Sequence, residues 1–535
     1  MTARRRKHWG WGYEDEQPTA DELRGACAAI ASHLGYGSPE PELPVRLEDV
    51  LLPDPRIAPP AALAEICCTD AHARASHAFG KSYRDVVRAF RGQFDVAPDF
   101  VVRPRSEAEV EAVLEFCDDA NAAVFPYGGG TSVVGGVEPH PGSEHGGAVS
   151  LDLGALDRVL EVDAVSRAAR IQGGASGPVL EAQLAEHGLT LRHYPQSFEL
   201  STLGGWIATR AGGHFATLET HIDDLVESVR AITPAGEWAS RRLPGSGAGP
   251  SPDRLLIGSE GTLGVITDAW VRVRPRPTHR AGASVRFGSF SDGLEGARAV
   301  AQSGLHPANC RLIDADEARM TGAGDGQASV LVLGFESADH AVDSALDRAL
   351  ELCAEHGGTG ERSSGREGAA GAWREAFLRA PYLRDTFVAM GVLSETFETA
   401  ITWERAGAFI DRALGVAREA VLQTCGAGTV SCRLTHVYPD GCAPYFTILA
   451  PARRGEELAQ WDVIKSVAAD AVIAGGGTIT HHHAVGRDHR PWYDRQRPEP
   501  FAAALRGAKA AVDPRGLLNP GVLIDPAPAA VIPRR

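Results

Sequence analysis

Lysine is nearly missing from this chain: Lys7, Lys81, Lys465 and Lys509 are the only four in 535 residues, so arginine carries almost all the positive charge. With alanine and glycine abundant, that bias reads as GC-rich coding sequence and says little about function. Basic residues as a whole are in deficit, 53 against 69 acidic, and the formal charge of −16 repels a phosphodiester backbone. Nucleic acid is therefore not an expected partner. No stretch approaches the roughly 18 uninterrupted apolar residues that cross a bilayer, and the basic start MTARRRKHWGWGYEDE leads into no apolar run. Neither a signal peptide nor an anchor is expected, and the cytoplasm is the expected location. The nine cysteines form no CxxC and no metal spacing, so reduced thiols and no metal site are expected.

What is present is ordinary globular composition, 44% hydrophobic and 23% charged, at a length fit for two to four domains. Residues 1–95 mix aromatic and charged positions with proline-rich breaks and read as a helical extension wrapped on a larger body. A β-α-β opening follows, with FVVRPR and AVFPYG as strands and Ser106 and Glu109 as a capping box for the helix EAEVEAVLEFCDDAN. Strands AVSLDL and ARIQGG come next, then a helix capped by Ser176. A hairpin, VESVRAITPAGEW, turns at Pro234 and Gly236, and a strand pair ends at Pro275 and Pro277. The fold class is read as α+β: an extension (1–95), a cofactor domain (96–277), a substrate domain (278–480) with helices on one face of a sheet, and a closing segment (481–535). GGTGERSSGREGAAGA and the tail IDPAPAAVIPRR read as flexible.

The strongest local signal is PYGGGTSVVGG, residues 126–136, directly after a strand. Gly128, Gly129 and Gly130 lack Cβ atoms and accept positive φ, so successive amides can turn inward around an anion, with the hydroxyls of Thr131 and Ser132 as further donors. No lysine follows the glycines and GxGxxG is absent, which excludes a Walker loop and a Rossmann fingerprint. Taken alone, the glycines could serve only a tight turn. Two more stretches rich in glycine and hydroxyls, QSFELSTLGGWIATRAGG (196–213) and GSEGTLGVIT (258–267), point instead to a dinucleotide lying across a sheet.

The order PYGGGTS, STLGGWIATRAGG, GSEGTLGVITDAWVRVRPRP and DPRGLLNPG resembles the FAD-binding domain of the vanillyl-alcohol oxidase/p-cresol methylhydroxylase (PCMH) superfamily. The resemblance implies a PCMH-type FAD domain with a ferredoxin-like α+β cap. It assigns FAD to Pro126, Tyr127, Gly128, Gly129, Gly130, Thr131 and Ser132 on the first loop, to Gln196, Ser197, Ser201, Thr202, Gly205, Thr209 and Ala211 on the second, and to Glu260, Gly261, Gly264, Val265 and Ile266 on the third. No His or Cys adjoins the first loop's glycines, so non-covalent FAD is expected. WGWGYEDE, PYLRDTFVAMGVLSETFETAITWER, CRLTHVYPDGCAPYF and HHHAVGRDHRPWY are similar to alkyldihydroxyacetonephosphate synthases along nearly the whole chain. That family exchanges the acyl chain of acyl-dihydroxyacetone phosphate for a long-chain fatty alcohol, with the substrate carbon carried on the flavin N5 and no net redox change. The implied partners are those lipid substrates, a membrane surface touched transiently and a second copy in a homodimer.

Carried over residue by residue, Tyr445 matches the family's catalytic tyrosine, Arg384 its substrate-binding arginine and His481, His482 and His483 its histidine run. A phenol with a pKa near 10 needs a cation or hydrogen-bond donors to act as a base, and the histidines are expected to supply that field. Read without the family, Tyr445 fits an apolar core, Arg384 an ion pair with Asp385 and the histidines a packed or solvated patch. ITHHHAVG looks like a strand end, which would turn the middle ring away from its neighbours. Two departures stand out. Gly245 falls where eukaryotic members have an arginine, leaving Arg241 or Arg242 as substitutes. The GHxGDGN and EHGxG stretches of flavin 2-hydroxy-acid dehydrogenases read THVYPDGC and HHHAVG here, keeping His436 and His483 but placing His482 at the glutamate position. The alternative function is an FAD-linked oxidoreductase of a hydroxylated substrate such as a 2-hydroxy acid.

Overall fold

Strand and helix periods alternate along the chain and sort it into a cofactor half and a larger cap. The structure, a computed structural model, describes residues 4–363 and 368–525. Phe100–Val102, Gly147–Asp152 and Ala122–Tyr127 run parallel in that spatial order, and Cys67–Cys68 adds an antiparallel edge from within the extension. Helix Glu107–Asp119 connects the first strand to Ala122–Tyr127. Only half of the expected capping box forms: Ser106 Oγ accepts from Glu109 N at 3.3 Å, but the Glu109 carboxylate takes the Arg105 N–H at 2.6 Å. Helix Gly177–Ala185 follows Ser176 without a side-chain cap. A five-stranded antiparallel sheet completes this half, with the Val226–Thr233/Gly236–Ala239 hairpin at its edge as read from the sequence.

The cap is an eight-stranded antiparallel sheet. Its first part runs His279–Phe287, helix Phe290–Gln302, Asn309–Ile313, Ser329–Ser337, helix Asp343–Glu355, Thr359–Ser363. Numbering these strands one to four, the spatial order is 4-1-3-2, the ferredoxin-like arrangement. Val392–Glu398, helix Trp403–Cys425, Thr429–Val437, Gly441–Pro451 and helix Glu457–Gly475 repeat the order without a fourth strand, and the two parts meet where Ile313 pairs with Arg433. The stretch expected to be flexible here supplies the edge strand Thr359–Ser363 and the start of helix Gly368–Met390; its residues 364–367, and the tail from 526, lie outside the described residues.

Strand alternation positions the site. Val430, Cys432 and Leu434, with Phe446, Ile448 and Ala450 on the next strand, face the helices and share one buried core. Arg433, Thr435, Tyr445, Thr447, Ser394 and Thr396 face the opposite way, into a cavity. A strand exposes successive side chains to opposite faces, so the polar set here faces an enclosed space instead of solvent. The extension is stitched into the same structure: Trp9, Trp11, Phe79, Tyr83 and Phe90 are buried in the cap's core.

Candidate active site

A cavity of about 650 Å³ lies between the polar face of the cap sheet and the three glycine-rich stretches. Every residue expected to hold FAD lines it except Val265, whose side chain is fully buried with Val124, Leu151 and Leu518 in the core of the cofactor half. A strand residue facing the core cannot also face the ligand, so that expectation is corrected to the backbone at most.

The first loop is a cradle of main chain. Gly130 has φ +65°, a Cβ on Gly128 would strike Thr202 Oγ1, and one on Gly129 would strike the Leu200 carbonyl. The loop therefore packs against residues 200–202 as only glycine allows. Among the described residues, no protein acceptor takes the N–H groups of Gly129 through Ser132. Four consecutive uncommitted donors suit an anion such as a pyrophosphate. Arg6 from the extension braces the loop, its Nη1 donating to the Gly129 carbonyl at 3.1 Å. On the third stretch Glu260 accepts from Val485 N at 2.9 Å and Gly486 N at 2.7 Å, tying the cofactor half to the histidine segment. Burial pushes its carboxyl up to about 7.

The cap's contribution is a row of side chains set by register. Arg433 lies directly opposite Tyr445, and Tyr445 directly opposite Glu398, across three adjacent strands. The Arg433 guanidinium stacks over the Tyr445 ring with Cζ 3.9 Å from its centroid and donates to Glu317 at 2.6 Å. Glu398, 2% exposed, gathers the N–H groups of His481, His482 and His483 at 2.6, 3.2 and 3.1 Å and the Thr480 hydroxyl at 2.6 Å. The histidine run is thus an irregular turn wrapped around a carboxylate, not a strand end.

This turn does not place alternate rings on opposite sides. His482 lies 6.0 Å from the Tyr445 ring, nearly parallel to it, and His483 stands edge-on at 5.4 Å. His481 does not line the cavity; its Nε2 pairs with the Tyr438 hydroxyl at 2.6 Å and its Nδ1 with His482 Nδ1 at 3.0 Å. Gly212 lets the cluster close, since a Cβ there would sit 3.1 Å from His482 Cβ and 3.3 Å from His436 Cε1. Burial, then neighbouring charges, hold His436, His481 and His483 well below the usual imidazole value and His482 down at about 3. Held neutral, these rings bring no positive charge to Tyr445 and keep only an N–H to offer. Ring nitrogens of His436, His481 and His482 lie within 4.8 Å of one another, but those of His436 and His481 are taken up in protein hydrogen bonds.

The cations are arginines. Arg384 lines the cavity, donating to the Lys81 carbonyl at 2.6 Å. Its neighbour Asp385 pairs with Lys7 at 3.0 Å, in place of the Arg384–Asp385 ion pair expected without the family. Arg311, 5% exposed, also lines the cavity, and burial followed by the charge of Arg433 lowers it to about 9. Arg242 is bound to Asp163 and Glu227, Arg241 is exposed, and neither lines the cavity, so neither stands in for the arginine that Gly245 replaces. Sequence reasoning missed Arg311, Arg433, Glu398 and Tyr438. For Arg311, Arg433 and Glu398 the available signal was a charge within a mostly buried strand; Tyr438 lies beyond its strand and carries no such signal.

A glycine cradle, a cavity and a ferredoxin-like cap define a PCMH-type flavoprotein. The FAD binding domain family model matches residues 98–240, and the FAD linked oxidases C-terminal domain model matches 276–523. The fold is shared with p-cresol methylhydroxylase with substrate bound (TM-score 0.68, 14% identity, 86% of this chain and 94% of that one). The cofactor is FAD. The alkyldihydroxyacetonephosphate synthase of Caenorhabditis elegans is 31% identical over 96% of this chain and 94% of its own. A solved alkyldihydroxyacetonephosphate synthase is 25% identical, with TM-score 0.79 over 96% of this chain and 98% of that one. The chain belongs to the alkyldihydroxyacetonephosphate synthase family.

Proposed function

We propose that this chain exchanges the acyl group of acyl-dihydroxyacetone phosphate for a long-chain alcohol, forming an ether-linked product and a free fatty acid. One observation carries the reading: the Tyr445 phenol faces a single cavity that joins the glycine cradle, a set of arginines and an apolar limb. That limb is lined by Ile30, Leu34, Met320, Phe387 and Leu449, a wall suited to an alkyl chain. Arg384 and Arg311 line the same cavity and in this reading hold the phosphate monoester, for which a planar guanidinium is well matched.

FAD, when bound, supplies the carrier for the substrate carbon, so that one carbon–oxygen bond replaces another without net oxidation. Tyr445 takes a proton from the substrate carbon and later returns it. The neutral His482, through His481 and Tyr438, moves protons away from the cavity. The bond between the substrate carbon and the acyloxy oxygen breaks, and the fatty acid leaves as carboxylate carrying both oxygens. The alcohol oxygen forms the new bond and gives up its proton. The test is purified holoprotein with acyl-dihydroxyacetone phosphate and oxygen-labelled hexadecanol. The label is expected in the ether oxygen, with one fatty acid released per ether formed. Absence of fatty acid would refute the assignment.

A further inference from the structure

Tyr445 is buried, and burial pushes its phenol above the ordinary value of about 10, the wrong direction for a base near neutrality. The groups facing it can be taken element by element. Strand Thr429–Val437 contributes Arg433, strand Val392–Glu398 contributes Thr396 and Glu398, and helix Gly368–Met390 contributes Arg384. The turn after Thr480 contributes His482 and His483, both held neutral. After burial, Arg433 is the largest influence on the phenol and opposes it; the Thr396 hydroxyl and Arg384 act in the same direction more weakly, and Glu398 acts against them.

We infer that Arg433 is the positioning residue that makes Tyr445 usable as a base. This rests on the role proposed for Tyr445. A guanidinium over a phenol ring is attracted to the negative face of the π-system, and the attraction grows when the ring becomes a phenolate. Register makes the pairing obligatory, because the two residues are direct cross-strand partners. Glu317, 3% exposed, fixes the guanidinium, and its own position is set by Asp314 Oδ1 accepting from Glu317 N at 2.7 Å and by Ser431 Oγ donating to its carboxylate at 3.3 Å. Burying such a charge is costly unless it is paired. Here the pairing leaves one face of the guanidinium on the ring.

In Arg433→Met, the acid-side limb of the kcat/KM pH profile is expected to move up by about one pH unit or more, roughly tenfold in rate per unit on that limb. Arg433→Lys should recover part of the shift. A limb that stays in place overturns the inference. Turnover is not required for the second readout, an ultraviolet difference titration of each protein against its Tyr445→Phe counterpart, which reports the phenol alone. It should shift upward in Arg433→Met, and an unmoved titration overturns the inference even if fatty acid is released. If the titration shifts but wild type releases no fatty acid, the exchange reading fails and the role of Arg433 stands. Since Arg433→Met strands Glu317, the double variant Arg433→Met/Glu317→Gln carries the same test if the single variant does not retain flavin.

Discussion

The two walls of the cavity work by different means. The cofactor wall is main chain: glycines that tolerate close approach, and consecutive amides with no protein acceptor among the described residues. The cap wall is side chains: Arg433 and Tyr445 face the cavity from one transverse row, and Glu398, next in that row, holds the histidine turn, each aimed by the strand beneath it. A backbone site is encoded by which residues are small, whereas a side-chain site is encoded by which strands are neighbours. Substitutions on the two walls should therefore fail differently, one losing the cofactor and the other losing chemistry with the cofactor in place.

The largest expected effect sharpens that contrast. Tyr445→Phe should lower the exchange rate by about 10²–10⁴-fold, the usual contribution of a positioned acid–base group, while the visible flavin spectrum stays as in wild type. Loss of flavin from this variant would break the distinction. Glu398→Gln comes next. The carboxylate accepts three backbone N–H groups and a hydroxyl, and charge-assisted bonds are stronger than neutral ones. The substitution should cost about 1–3 kcal/mol and about tenfold in rate through a disordered histidine turn, read by kinetics and urea unfolding.

On the other wall, Gly129→Ala would drive a methyl group into the Leu200 carbonyl. Overpacking of this kind costs about 1–3 kcal/mol, and it should appear as weakened FAD binding in a fluorescence titration of apoprotein, with turnover restored by excess FAD. The smallest effect concerns the residue joining the walls. Glu260 has its carboxyl raised to about 7, so the folded state holds a proton that the unfolded state loses above roughly pH 4.5. Its stabilising contribution is present below that pH and is lost as pH rises through about 7. Glu260→Gln should therefore gain stability relative to wild type by about 1–3 kcal/mol between roughly pH 5.5 and 8, measured by denaturant unfolding of apoprotein at the two pH values.

How much was legible in the sequence follows the same division. The glycine loops announced themselves, because Gly128, Gly129 and Gly130 are a local pattern with a local physical meaning. The boundary of that reading is Val265, which sits in the right stretch but points into the core. Tyr445, Arg384 and the histidines were located by resemblance, and Tyr445, Arg384, His482 and His483 line one cavity, but the arginine stacked on Tyr445 was not read from the sequence. The turn around Glu398 depends on a residue more than 80 positions away, and nothing local marks it. Arg433 and Glu398 occupy alternate positions that read as the wet side of a sheet. The fold turns that side inward over the cavity, and only the pairing of strands distant in sequence reveals it.

The most direct test of the central claim is the flavin spectrum of the holoprotein before and after anaerobic addition of acyl-dihydroxyacetone phosphate and hexadecanol, with fatty acid measured in the same vessel. The account predicts fatty acid released over many turnovers and a flavin band that is still oxidised at the end. A bleached band, or a 2-hydroxy acid that bleaches it where the lipid does not, would contradict it.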